Sequence, residues 1–243
     1  MNEATKVRER WKREGIIDRY ITGKVLDIGC GEDKIVPQAV GFDRADGDAQ
    51  YLKTLENESF DTVFSSHTLE HMRDPLEAVL NWWRVLRPGG FMVIIVPDED
   101  LYEQGLWPSP WNPDHKFTYT ISKSKSWSPT SRNLITLLSH LPDHKIVYIK
   151  TLDQGFDYDP GCYKDQTLRG AEAAIEAVIH KHTEQLTLYS GLKDLFRCPD
   201  CEQSQLRVFG ITKESKIDIR CYNCGWTGTC EIPCRKCSTN PTD

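Results

Sequence analysis

The stretch Lys24-Val-Leu-Asp-Ile-Gly-Cys-Gly31, followed by Val40-Gly-Phe-Asp43, constrains the fold more than any other part of this chain. The short apolar run from Val25 to Ile28 reads as a buried strand, and Gly29-Cys30-Gly31 breaks it. Gly-x-Gly at the carboxyl end of a strand lets backbone amides approach a ligand that any side chain would hold off. The next apolar run ends in Asp43, a position from which a carboxylate can grip both hydroxyls of a ribose. A nucleoside-containing cofactor is the first expectation.

The flanking residues narrow that class. A dinucleotide fingerprint needs a third glycine and a helix whose amino end meets a pyrophosphate. Here the third glycine is absent, and Glu32 and Asp33 would repel a pyrophosphate. Asp27 adds negative charge just before the first glycine. Such a surround suits a cationic ligand, for example a sulfonium with an amino-acid tail.

Downstream, Ser59-Phe-Asp-Thr-Val-Phe-Ser-Ser-His-Thr-Leu-Glu-His71 reads as a strand running into a helix start. Asp74 is an N-cap and Pro75 a first helical residue for an amphipathic helix reaching Leu86. Arg87-Pro-Gly-Gly90 ends it, and Phe91 to Pro97 is another buried strand. In this order and spacing the motifs resemble the class I S-adenosylmethionine-dependent methyltransferases over roughly residues 20–190. The resemblance implies an α/β, Rossmann-like sheet of seven strands and S-adenosyl-L-methionine as cofactor. It implies Asp27, Gly29, Cys30, Gly31, Asp43 and Ser66 as cofactor-binding residues, with Asp48 and Ala49 at the adenine. Within the superfamily, "LEH" after the fourth strand resembles the small-molecule and glycan-modifying branch.

At 243 residues the chain can hold one sizeable α/β domain, expected over 1–190, and a small one over 191–243. A net charge of −6 gives no global electrostatic case for a polyanionic partner. No run of 18 apolar residues occurs, and the charged first residues lack an apolar core, so a cytoplasmic chain without a membrane partner is expected. Thr5 to Glu14 reads as a surface helix leading into the first strand.

Seven of the nine cysteines fall between 198 and 237. Cys198-x-x-Cys201 and Cys221-x-x-Cys224, 19 residues apart, have the spacing of a four-thiolate zinc site. Between them Leu206–Ile211 and Lys216–Arg220 alternate like two strands of a hairpin, so the segment resembles a zinc ribbon. Cys230, Cys234 and Cys237 would serve a second metal or replace one of the first pairs. A disulfide framework is the alternative and fits a reducing compartment poorly. So small a module needs metal for much of its stability. Its basic residues are nearly matched by acids, so nucleic-acid binding is not favoured.

Glu32 to Ala39 is too short for the usual first crossover helix, and the amino-terminal helix is the candidate cover for that face. After the fifth strand, Asp98 to Thr118 is acidic, then rich in aromatic residues and proline. Trp107, Trp111, His115, Lys116 and Phe117 there would line an acceptor pocket or form a small core of their own. Ser131 to Leu141 reads as a helix, Lys145 to Lys150 as a strand, and Ala173 to Lys181, by resemblance, as the final antiparallel strand.

Methyl transfer from a sulfonium is an in-line displacement in which positioning does most of the work. A hydroxyl acceptor also needs a base with a pKa near 7. His71, His115 and His67 are the candidates, with Asp98 next. His67 and His71, at i and i+4, show no third metal ligand in the adjoining sequence, so ligation is disfavoured. A phosphate or carboxylate acceptor would instead call on Lys116 or Arg132. The expected acceptor is a small molecule, nucleotide-sugar or glycan; the alternative is RNA or protein gripped by the ribbon.

Overall fold

The computed structural model describes residues 3–182 in full and, beyond them, the backbone of strands 206–211, 216–221 and 227–231. The chain divides into two compact units, Met1–Thr183 and Glu184–Asp243.

The first unit is built on one sheet. Its strands are β1 (Val25–Ile28), β2 (Val40–Phe42), β3 (Phe60–Ser66), β4 (Leu86–Pro97), β7 (His144–Leu152) and β8 (Ala174–Lys181), in the order β2-β1-β3-β4-β8-β7. β2, β1, β3 and β4 are parallel, and β8 runs antiparallel to both β4 and β7. A short parallel pair, β5 (Thr118–Thr120) and β6 (Ser131–Asn133), stands apart. Residues 44–59 are turns and irregular backbone, so the sheet ends at β2. Six strands form it, one fewer than the resemblance implied.

Side-chain alternation along the strands makes two cores. On one face Leu26, Ile28, Val63, Met92, Ile94 and Ile175 pack with α3 (Pro75–Val85) and α4 (Leu134–Leu138). α3 starts as its sequence dictates: Asp74 accepts hydrogen bonds from the amides of Leu76 and Glu77, and Pro75 takes the first helical position. Trp82 is fully buried and donates its indole N–H to the Ala49 carbonyl at 2.8 Å. The expected helix over 131–141 shrinks to α4, because Ser131 to Asn133 are drawn into β6.

On the other face Val25, Phe64, Val93, Ile95 and Val178 meet Ala4, Val7 and Trp11 of α1 (Glu3–Glu14), which is followed by the single turn α2 (Ile17–Tyr20). The first crossover has no helix, and α1 covers the sheet in its place. α1 is therefore more than the surface helix its charge run suggests. Lys6, Arg10 and Trp11 are buried. The Arg10 guanidinium reaches both oxygens of Glu176 on β8, at 2.5 and 3.2 Å, and its Nε donates to Glu172. Trp11 Nε1 and the Tyr148 hydroxyl also donate to Glu176, which has no solvent exposure. A buried carboxylate needs this many partners.

In the second unit β9 (Leu206–Ile211), β10 (Lys216–Cys221) and β11 (Thr227–Glu231) form an antiparallel sheet in the order β11-β10-β9. The first two strands are the hairpin read from the sequence. Of the expected metal ligands, Cys198, Cys201 and Cys224 lie outside the described residues, and Cys221 is described only as the last backbone position of β10. The connector over 183–196 also lies outside them. Among the described residues no helix is long and apolar enough to cross a membrane.

Candidate active site

The site forms at the carboxyl edge of the parallel strands, where open α/β sheets bind ligands. Gly29 leaves β1 with φ of +74°, and its amide donates to the Phe42 carbonyl at 2.8 Å. A Cβ on Gly29 would lie 2.0 Å from Thr68 Oγ1, so only glycine fits. Thr68 in turn donates to the Ile28 carbonyl, stitching the turn after β3 to the end of β1. Gly31, with φ of +51°, has open space where a Cβ would stand.

Asp43 lies half-buried past the end of β2, and its carboxylate accepts the amides of Gly31 and Arg44, each at 2.7 Å. It thereby closes the glycine turn against the second strand. Asp27 is buried on β1 and accepts the Ile35 amide at 2.6 Å. Burial pushes its pKa up to about 7, with Asp33 and Asp43 adding repulsion. Burial also raises the Cys30 thiol above its ordinary value, with Asp27 and Asp43 adding repulsion. Its sulfur takes the space a side chain at position 41 would need, which explains the glycine there.

Asp48 accepts the Gln50 amide and pairs with Arg73 at 2.5 Å; both hold its carboxyl below the usual range. Ala49 is fixed through its carbonyl by Trp82. Ser66 ends β3 with a buried hydroxyl that has no partner among the described residues. The glycine turn, Asp43 and Asp27 are adjacent along β1 and β2, Ser66 ends the neighbouring β3, and Asp48 and Ala49 follow β2 in sequence.

The histidines gather around a residue the motif reading passed over. Glu70 has no solvent exposure, and neither carboxylate oxygen finds a hydrogen-bond partner among the described residues. Its Oε1 lies 3.7 Å from His67 Nδ1, 3.8 Å from His71 Nε2 and 3.9 Å from His115 Nε2. Burial raises the Glu70 pKa to about 7, against the opposing pull of His115. Burial likewise holds His67 and His71 below the ordinary histidine value.

His67 and His71 do not share a helical face. His67 has φ of +53° and precedes a single 3-10 turn, Leu69–His71. What joins the histidines is the loop after β4. The Glu70 carbonyl accepts the Lys116 amide, and the Tyr119 hydroxyl donates to the Leu69 carbonyl. That seating brings buried His115 against His71, with ring centroids 5.0 Å apart. His115 Nδ1 is 2.7 Å from Glu103 Oε1, and His71 Nδ1 faces Asp114. Glu103 and Glu70 were legible only as acids among many; their burial is set by loop packing.

Asp98 is spoken for locally. It is buried, accepts the amides of Asp100 and Leu101, and has its pKa raised by burial to about 6. Trp107 and Trp111 are half-buried, and Trp111 donates to the Tyr102 carbonyl. Trp127 is exposed and bonds Asp100. The Arg132 guanidinium lies over the Phe117 ring at 4.7 Å, and Lys116 is exposed beside Asp114.

Residues 32–94, from the glycine turn to the middle of β4, match the family model described as a methyltransferase domain. A 52-residue stretch is 42% identical to a tRNA U34 carboxymethyltransferase of Hydrogenovibrio crunogenus, covering 20% of this chain and 16% of that protein. The chain thus spans about a sixth of the length of the curated relative it matches. Among solved structures, a SAM-dependent methyltransferase from Archaeoglobus fulgidus is 22% identical, covering 74% of this chain and 95% of that one, with a TM-score of 0.44. One from Methanosarcina mazei is 16% identical over 70% of this chain and 98% of that one, with a TM-score of 0.46. The match to a methyltransferase domain thus falls over residues 32–94, inside the strand–glycine turn–acid order and the mostly parallel sheet of the first unit.

Proposed function

We propose that the protein moves the sulfonium methyl of S-adenosylmethionine to a hydroxyl oxygen of a small molecule, nucleotide-sugar or glycan. The observation that carries this reading is the meeting of His67, His71 and His115 at Glu70, two residues past the Thr68 that packs against Gly29 and bonds the Ile28 carbonyl. An alcohol acceptor must lose a proton, and a histidine near neutrality is suited to take it. Bound S-adenosylmethionine supplies an electrophilic methyl group; the chain's own residues do the rest. Asp43 holds the ribose hydroxyls, Gly31 leaves room for the tail while Gly29 lets the turn pack against Thr68, and Asp27 faces its positive charge. Asp48, Ala49 and Ser66 complete the cradle. His71 or His115 receives the acceptor's proton, His115 being oriented by Glu103 in the manner of a carboxylate–histidine pair. Asp98 sets the start of the acceptor loop through the two amides it binds.

A second reading is favoured by the 52-residue likeness to a tRNA-modifying enzyme. In it the acceptor is RNA, and the cysteine-rich unit grips it. In either reading Cys198, Cys201, Cys221 and Cys224 hold one zinc ion. The support is the donor chemistry of two Cys-x-x-Cys pairs flanking a β-hairpin.

Release of S-adenosylhomocysteine from the purified protein, offered a panel of sugar nucleotides, glycans and RNA, tests both readings. The first expects turnover on a sugar-bearing acceptor. It also expects His71→Ala or His115→Ala to slow turnover by about 10²–10⁴ while cofactor binding survives. Methylation of RNA alone would transfer the case to the second reading.

A further inference from the structure

We propose that Glu70, His71 and His115 form a binding site for one divalent first-row transition-metal ion, distinct from the cysteine-rich unit. One ligand atom from each residue lies within 4.8 Å of the other two. Two imidazoles and one carboxylate are a donor set that zinc, iron(II) and cobalt(II) accept with coordination positions left open.

Two independent features point to an ion rather than to ordinary packing. The first is Glu70 itself, a fully buried carboxylate with both oxygens unpartnered among the described residues. Such a group is costly unless something positive meets it. The second is how the two imidazoles are held. His115 turns Nδ1 to Glu103 at 2.7 Å, and His71 turns Nδ1 to the Asp114 carbonyl at 3.2 Å. Both then present Nε2 to the same oxygen, Glu70 Oε1, at 3.9 and 3.8 Å. An outer carboxylate or carbonyl fixing the tautomer while the other nitrogen points inward is how protein histidines are prepared for a metal.

The separations have a consequence. Ligand atoms about 2.0–2.2 Å from an ion stand about 3–3.5 Å apart in tetrahedral or octahedral order, so the two Nε2–Oε1 separations of 3.8 and 3.9 Å shorten by several tenths of an ångström on binding. His67 Nδ1 reaches Glu70 Oε1 from beyond the three-residue set and is left outside the ligand list. Because Glu70 and His71 follow β3 while His115 follows β4, an ion here ties the acceptor loop to the cofactor side of the sheet. In the metal-free protein His71 or His115 is the base of the proposed function; an ion on both Nε2 atoms would take that role from them and would lower the pKa of a hydroxyl in its open position. The binding claim does not depend on methyl transfer.

Cobalt(II) added to the full-length protein is the probe, because thiolate and imidazole–carboxylate ligation give different absorption spectra. The wild type should take up one equivalent with weak visible bands and no thiolate charge transfer, beyond any bound by the cysteines. That ion should raise the melting temperature of the first unit by about 5 °C or more at saturation. Glu70→Gln and His71→Ala should each lose that equivalent and the rise. Glu70→Gln keeps the shape and removes a buried charge, so its metal-free melting temperature should equal or exceed the wild type's, which shows that it folds. Equal uptake and an equal rise in wild type and both variants, or no such equivalent in the wild type, would overturn the proposal.

Discussion

The buried Asp27 carboxyl couples the stability of the fold to pH, and Asp27→Asn exposes that coupling. The carboxylate is 1% exposed, and burial raises its pKa from 3.8 to about 7. Between those values the folded chain keeps a proton that the unfolded chain has released. The unfolding free energy therefore falls as pH rises through this window. Integrated over the window, the loss is about 4 kcal/mol by pH 8. Asparagine cannot titrate, yet its side-chain oxygen can still accept the Ile35 amide. The variant should match the wild type near pH 4 and exceed its stability by up to that amount at pH 8. Urea denaturation across pH 4–8 reads the difference, and tryptophan fluorescence suits it because six of the seven tryptophans precede residue 183. A cationic ligand beside Asp27 favours the charged form, so wild-type affinity for S-adenosylmethionine should climb as pH passes 7, and the variant's should not. Parallel stability profiles for the two proteins would refute the claim that burial controls this carboxylate.

Arg10→Met leaves Glu176 buried with only the Trp11 and Tyr148 donors and the more distant Lys150, so it should cost about 3 kcal/mol in urea denaturation. A loss below about 1 kcal/mol would mean that α1 does not depend on this clamp. Gly29→Ala and Gly31→Ala separate backbone strain from crowding. Each places an alanine at positive φ, costing about 1–2 kcal/mol, but only the Gly29 Cβ collides with Thr68. Gly29→Ala should therefore destabilise more, and equal losses would argue against the packing described.

The sheet was legible in the sequence because its strands are continuous apolar runs bounded by glycine, proline and caps. Val25–Ile28, Phe91–Pro97 and the Asp74-Pro75 helix start needed no tertiary information. Reading α1 as a surface helix missed its buried face because that face meets distant strands: Ala4, Val7 and Trp11 pack on the sheet, and Arg10 meets Glu176, 166 residues away. Ser131–Asn133 prefer β6 for a similar reason: a partner strand outcompetes local helix propensity. The glycines and acids proposed to hold the cofactor were legible as residues at the ends of β1 and β2. The Glu70 cluster was not, because it joins the turn after β3 to the loop after β4 and depends on a fold-determined meeting. A spacing of four between His67 and His71 suggested one helical face, whereas the backbone reverses at His67.

The central claim, an S-adenosylmethionine cradle closed by Asp43 over the glycine turn, is tested most directly by calorimetry on wild type and Asp43→Ala. Losing a charged hydrogen bond costs about 1.5–3 kcal/mol, so the account predicts binding weakened at least about tenfold in the variant. Unchanged affinity for S-adenosylmethionine in Asp43→Ala, or a wild type that prefers a nicotinamide dinucleotide, would contradict it.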